Sequence, residues 1–256
     1  MQRFRIRMSS PQSFRLPGFA GFASYSIVMD VLEGRDPNLV KLRRSGKLPT
    51  DFAVRPLERS SEGLLLDVTT MSSEVTRNLV QSVLEGSLDT KAGRFEIERV
   101  EVESFDPKDV LSTSVPVRSF SVRFLTPTFL RAEGGVKGGV FVPMPIPARM
   151  LMNLMKVWNR FLGGMEAKDE FRRWLESWGI VVSGLNIRTV KIEDEGRFFV
   201  GFVGWANFSA NDSYYDGEFL RLVDALMRFG EFVNVGGLRS KGFGVISYRR
   251  RDHPRQ

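Results

Sequence analysis

The chain has 256 residues, 42% of them hydrophobic and 11% aromatic, which fits one large folded domain or two of about 100–150 residues. A net charge of +7 and a pI near 9.9 favour a polyanionic partner, nucleic acid first and an anionic membrane surface as its rival. There is no cysteine, so disulfides, thiolate nucleophiles and zinc–cysteine sites are excluded, and the single histidine, His253, sits in a basic tail without partners for a metal.

The last eight residues carry +3 of the charge, leaving about +4 spread over the body. No apolar run reaches the ~18–20 residues of a bilayer span, and Arg3, Arg5 and Arg7 interrupt any leader-like stretch. A cytoplasmic protein without a membrane partner is expected.

Taken in order, Arg3 to Met8 alternates strictly and predicts a half-buried strand with an arginine face. That face suits RNA, or equally a charged outer face that blocks edge pairing. Phe19 to Leu32 predicts a helix ended by Gly34, and Asp36-Pro37 then caps a short basic helix, Asn38 to Arg44, closed by Gly46. Strands are expected at Asp51–Leu57 and Leu64–Thr69. Ser72 caps a second long helix with Val75, Leu79, Val80, Val83 and Leu84 on one stripe. A strand from Arg94 to Ser104 follows, and its apolar phase slips at Arg99, the mark of a bulge. Strand, helix, strand, strand, helix, strand is the ferredoxin-like split βαβ.

Residues 106–116 read as a linker between domains at 1–105 and 117–256. The second domain repeats the plan with insertions. Phe120, Val122 and Phe124 alternate in a strand ending at Pro127, and Gly134, Gly135, Gly138 and Gly139 flank Lys137 in a segment expected to be mobile. Helices are predicted from Ala148 to Leu162, Lys168 to Trp178 and Glu218 to Phe229. Val181–Ile192 and Arg197–Phe208 predict a hairpin, and Phe243–Tyr248 the last strand. The fold class expected is α+β, two tandem ferredoxin-like (RRM-like) domains, and this unit commonly binds RNA on its sheet face.

Before the last strand stands Gly236-Gly237-Leu238-Arg239-Ser240-Lys241-Gly242-Phe243-Gly244. Four glycines in nine residues free the backbone from the Cβ restriction, so consecutive N–H groups can turn toward one anion, and Arg239 and Lys241 add charge. Lys241 is followed by Gly242 rather than Ser or Thr, so this is no Walker loop, and Ser247 stands where a dinucleotide fingerprint needs its third glycine. The alternative is a glycine-rich hairpin with two solvated cations.

With that loop on the last strand, the sequence resembles the CRISPR-associated endoribonucleases that cut precursor CRISPR RNA within its repeats, the sixth numbered Cas family. The resemblance rests on Phe4-Arg5-Ile6-Arg7, Leu16-Pro17, Phe52-Ala53-Val54-Arg55-Pro56-Leu57, Phe124-Leu125-Thr126-Pro127-Thr128, Phe202-Val203-Gly204-Trp205 and above all Gly237 to Gly244. It implies metal-independent RNA cleavage without a cofactor. The partners it implies are precursor CRISPR RNA and, beyond it, other CRISPR-associated proteins, for a monomer or homodimer. Many members carry a histidine after the first helix and a tyrosine within it; those positions fall here at Arg44 and Met29, so the usual general base is missing.

Such chemistry uses the RNA 2′-OH as nucleophile and leaves a 2′,3′-cyclic phosphate and a 5′-OH. Arg is always protonated near neutral pH and cannot be the base, yet Arg43 and Arg44 suit a phosphate clamp. Lys47 or Lys41, crowded by those arginines, suits an acid or base, and Tyr25 is the next candidate. The RNA-binding set expected is Gly236, Gly237, Arg239, Ser240, Lys241, Gly242, Gly244, Arg43 and Lys137. The competing readings are an RNA-binding subunit that does not cut and, for the basic cluster, a solvated helix end.

Overall fold

The computed structural model describes residues 1–9, 14–45, 50–131, 140–165, 168–194 and 196–251. The chain forms two compact units: Met1–Phe105 with Leu238–Gly242, and Asp106–Gly237 with Phe243–Gln256.

The first unit contains β1 (Gln2–Met8), α1 (Gly21–Arg35), α2 (Pro37–Arg44), β2 (Phe52–Val54), β3 (Glu58–Ser60), β4 (Gly63–Thr70), α3 (Ser73–Leu84), β5 (Ser87–Thr90) and β6 (Gly93–Ser104). Its antiparallel sheet runs β2-β4-β1-β6-β5, with β3 pairing β4. Without β3 and β5 this is the ferredoxin-like order. Phe4, Ile6 and Met8 of β1, Leu64, Leu66 and Val68 of β4, and Ile27, Val28, Val31 and Leu32 of α1 fill the core with Val75 and Leu79 of α3.

Both helix starts work as the sequence dictates. Asp36 accepts from the Leu39 N–H at 3.0 Å and Ser72 Oγ from the Val75 N–H at 3.3 Å, satisfying donors that have no partner within the helix. The phase slip at Arg99 is a real register shift: Arg7 pairs with Arg99 but Met8 with Ile97, so Glu98 is the extra residue. Leu84, placed on the apolar stripe, is 80% exposed because α3 ends there. β1 is a central strand, which removes the edge-blocking reading of its arginines. Arg3 instead meets Asp67 at 3.5 Å and Glu103 at 3.2 Å, Arg5 meets Asp67 and Glu101, and Arg7 pairs with Glu62.

The second unit contains α4 (Pro107–Thr113), β7 (Ser119–Thr128), β8 (Leu130–Arg131), β9 (Phe141–Val142), α5 (Pro147–Phe161), α6 (Lys168–Glu176), β10 (Ile180–Asp194), β11 (Arg197–Ala210), α7 (Gly217–Val233) and β12 (Ile246–Arg250). The four-stranded order β10-β11-β7-β12 is again ferredoxin-like, so the chain is a tandem of two such folds. Phe120, Val122, Phe124, Phe202 and Phe208 are buried on one sheet face, and Trp158 of α5 meets Phe229 of α7 edge-on at 5.0 Å.

Residues 106–116, expected as a linker, hold α4. Asp106 accepts from the Lys108 N–H at 2.8 Å and Pro107 opens the helix, the same Asp-Pro start as α2. The last strand begins at Ile246 rather than Phe243, because residues 243–245 follow the glycine segment in a non-strand path. Fully buried Asp224 of α7 locks this end of the unit. It accepts from Tyr248 Oη at 2.6 Å, from Arg250 at 2.6 and 2.8 Å, and from the Val115 N–H at 3.1 Å.

Candidate nucleic-acid interface

The glycine segment differs from an open anion cradle. The Gly236 N–H donates to Asn153 Oδ1 at 3.0 Å and the Gly237 N–H to the Phe129 carbonyl at 3.1 Å. The Gly242 N–H donates to the Arg239 carbonyl at 3.2 Å, and the Gly244 N–H to the Pro127 carbonyl at 3.1 Å. The expectation that these glycines turn their N–H groups toward a phosphate is corrected: all four donors are satisfied within the protein.

The glycines are required by packing instead. A Cβ at Gly237 would stand 2.3 Å from the Phe129 ring, at Gly242 2.8 Å from the Gly21 Cα, and at Gly244 1.8 Å from the Val235 carbonyl oxygen. Gly236, Gly242 and Gly244 also have φ near +80°, a region that L side chains rarely adopt. Between them Arg239–Lys241 forms one 3₁₀ turn, entered through Leu238 at φ 52. Ser240 is buried at 7% exposure, whereas Arg239 and Lys241 are half-buried.

That turn belongs to the first unit, where it lies on the start of α1. The Lys241 carbonyl occupies the space a Cβ of Gly21 would need, at 2.2 Å. Lys241 Nζ stands 5.2 Å from the Phe22 ring centroid and 5.3 Å from that of Tyr25, within cation–π range. Tyr25 is half-buried, and its ring stacks on Phe52 of β2 at 6.2 Å. Burial pushes its phenol above the usual tyrosine range, against the opposing pull of Arg44 and Arg43. Tyr25, Lys241 and the two arginines of α2 therefore form one electrostatic neighbourhood. Every member is a hydrogen-bond donor near neutral pH. Such a group offers donors to an anion and to charge that develops on it.

The members of α2 are not equivalent. The Arg43 side chain is 5% exposed and pairs with buried Asp51 at 2.8 Å, and Asp51 also takes the Ser72 hydroxyl at the cap of α3. Arg43 joins α2 to α3 rather than presenting its charge to RNA, which corrects its place in the expected binding set. Arg44 is half exposed and makes a two-pronged pair with Glu33 at 2.9 and 3.2 Å; Glu33 also takes Lys91 at 2.7 Å. Those hydrogen bonds, Lys91's first, hold the Glu33 carboxyl below its usual range. Lys41 is exposed on the same helix. Met29 is 4% exposed and belongs to the core. Lys47, Lys137 and His253 lie outside the described residues. Sequence reading missed Glu33, Asp51 and Phe22, whose roles arise from contacts between separate elements. Among the described residues no group of three or more His, Cys, Asp or Glu side chains is arranged to hold a metal, and no helix is long and apolar enough to cross a membrane.

Residues 122–246 match the family described as CRISPR-associated endoribonuclease Cas6. No curated protein sequence matches. Among solved structures, a product complex of Cas6 (TTHB231), the Thermus thermophilus protein, superposes with a TM-score of 0.76 at 20% identity, covering 97% of this chain and 99% of that one. A product complex of Cas6 (TTHA0078) gives 0.74 at 19% identity over 97% and 98%. The product of a Cas6-related gene from Pyrococcus furiosus gives 0.58 at 14% over 98% and 99%. The chain thus resembles the Cas6 family in sequence over most of its second unit, and it has the Cas6 fold over its whole length.

Proposed function

We propose that this chain binds CRISPR repeat RNA and cuts it slowly, without a metal, by attack of the RNA 2′-OH on the adjacent phosphorus. The observation that carries this reading is the gathering of Lys241, Tyr25 and Arg44 from three separate elements around one point of a basic protein. The matched family and the product complexes of two structural neighbours support it. In the reaction the 2′ oxygen forms the new bond to phosphorus and gives up its proton to water, while the P–O5′ bond breaks and the 5′ oxygen takes a proton from Tyr25 or Lys241. Tyr25 and Lys241 are donors for the pentacoordinate oxyanion and the departing oxygen, with Arg44 and Lys41 as further cations and Lys47 as the remaining candidate on the chain after α2. With no base in the described group, the rate rests on alignment and charge stabilisation. Removing a general base typically costs 10²–10⁴-fold, which sets slow turnover as the expectation.

A second reading is favoured by a specific observation. Both arginines of α2 are already paired, with Asp51 and Glu33, as befits a subunit that holds RNA without cutting it. Incubating the protein with its repeat RNA in EDTA, followed on a sequencing gel, separates the two. Cutting should leave a cyclic phosphate, and Tyr25→Phe and Lys241→Ala should each slow single-turnover cutting by about 10-fold or more while affinity changes far less. Tight binding with no product would establish the non-cutting reading.

A further inference from the structure

The open face of the second unit's sheet carries a feature that the site around Tyr25 does not use. Strand register places Asn186, Trp205, Arg123 and Ser247 in one row across β10, β11, β7 and β12. The next row is Gly184, Asn207, Ser121 and Arg249, and on the other side Arg188 pairs with Val203. These positions alternate with buried Val122, Phe124, Ala206 and Ile246, so they occupy the face turned away from the core. Trp205 stands in the middle of that face, 39% exposed. A Cβ at Gly184 would lie 3.5 Å from its indole, so the ring leans over a strand position without a side chain. These three rows contain three arginines and no carboxylate. This differs from the first unit, where every β1 arginine meets an acid.

We infer that this face is a stacking platform for an unpaired nucleotide of the RNA, with the base on Trp205 and the flanking phosphates on Arg123, Arg188 and Arg249. An exposed indole offers a flat apolar surface on which a second flat ring can stack. Three cations in rows that hold no carboxylate select a polyanion over a protein patch. Bases meet both demands, and aromatic stacking on a four-stranded sheet needs no particular base. The inference rests on the RNA-binding reading but concerns a surface distinct from the cutting group.

The test uses the full chain with its repeat RNA, with an eight-nucleotide oligouridine, and with a blunt RNA duplex. Trp205→Ala should weaken oligouridine roughly 5- to 150-fold, leave duplex affinity within about 3-fold, and leave the melting temperature in place. Trp205→Phe should retain most of the affinity and abolish the quenching of tryptophan fluorescence that oligouridine causes in the wild type. If wild type binds and processes repeat RNA and Trp205→Ala binds oligouridine equally well, the platform is refuted while the proposed function stands. A wild-type chain that binds no repeat RNA refutes both.

Discussion

Gly244→Ala tests whether the glycine segment is built for packing or for an anion. The new Cβ would lie 1.8 Å from the Val235 carbonyl oxygen and 2.8 Å from its carbon, far inside van der Waals contact. The backbone cannot yield freely, because the Val235 N–H donates to the Gly244 carbonyl at 2.8 Å and the Gly244 N–H to Pro127 at 3.1 Å. With φ at +73 the left-handed conformation itself costs about 1 kcal/mol for alanine. Forcing the two segments apart adds about 2–3 kcal/mol, as overpacking does. Gly86, at φ +75 with nothing within 4 Å of its would-be Cβ, is the matched control and should show only the first cost. At roughly 2–4 °C per kcal/mol, the second unit should melt about 6–16 °C lower in Gly244→Ala, and the first about 2–4 °C lower in Gly86→Ala. Thermal unfolding followed by circular dichroism, with urea titration beside it, gives both numbers. An unchanged melting temperature for Gly244→Ala, with RNA affinity lost, would refute the packing account and restore the open cradle.

Other expectations follow from the ion pairs. Arg43→Ala should destabilise the first unit by about 3 kcal/mol, since it leaves Asp51 buried and unpaired, whereas Arg44→Ala should cost under about 1 kcal/mol because its pair with Glu33 is solvated; equal melting shifts would contradict the assignment. Burial first, and then its bond to Asp224, push the Tyr248 phenol well above the ordinary value near 10. The folded state therefore keeps a proton that the unfolded chain releases, so stability is intact below pH 10 and declines as pH rises beyond it. Tyr248→Phe should flatten that alkaline decline in a pH series of urea midpoints; a decline as steep as in the wild type would show that the slope belongs to another group.

Much of the fold was legible because its signals are local. Asp36-Pro37 and Ser72 announce helices, the alternation of Phe4, Ile6 and Met8 announces a strand, and the slip at Arg99 announces a bulge. Asp106-Pro107 carries the same signal as Asp36-Pro37 but was read as a linker, since only one of the seven residues of α4, Val110, is buried and no apolar stripe marks it. The site was less legible. The spacing Gly236 to Gly244 marks a backbone under constraint, but of the groups imposing it only Val235 is a neighbour in sequence, while Phe129 and Gly21 stand far off in the chain. Arg43 and Arg44 are neighbours of the same type, and only the placement of Asp51 and Glu33 makes one a buried tie and the other a surface pair.

The turn Leu238–Gly242 packs with residues that precede it by more than 200 positions. During synthesis, residues 1–105 leave the ribosome more than 130 residues before that turn does, a delay of roughly 7–26 s at ordinary elongation rates. Throughout that interval Phe22 and Tyr25 lack the lysine that covers them, and closing so long a loop is the slowest kind of contact to form. The nascent first unit therefore lacks one of the donors that the proposed function places beside Tyr25 until the turn has docked. A chain stopped after Gly237 would hold the first unit without that turn.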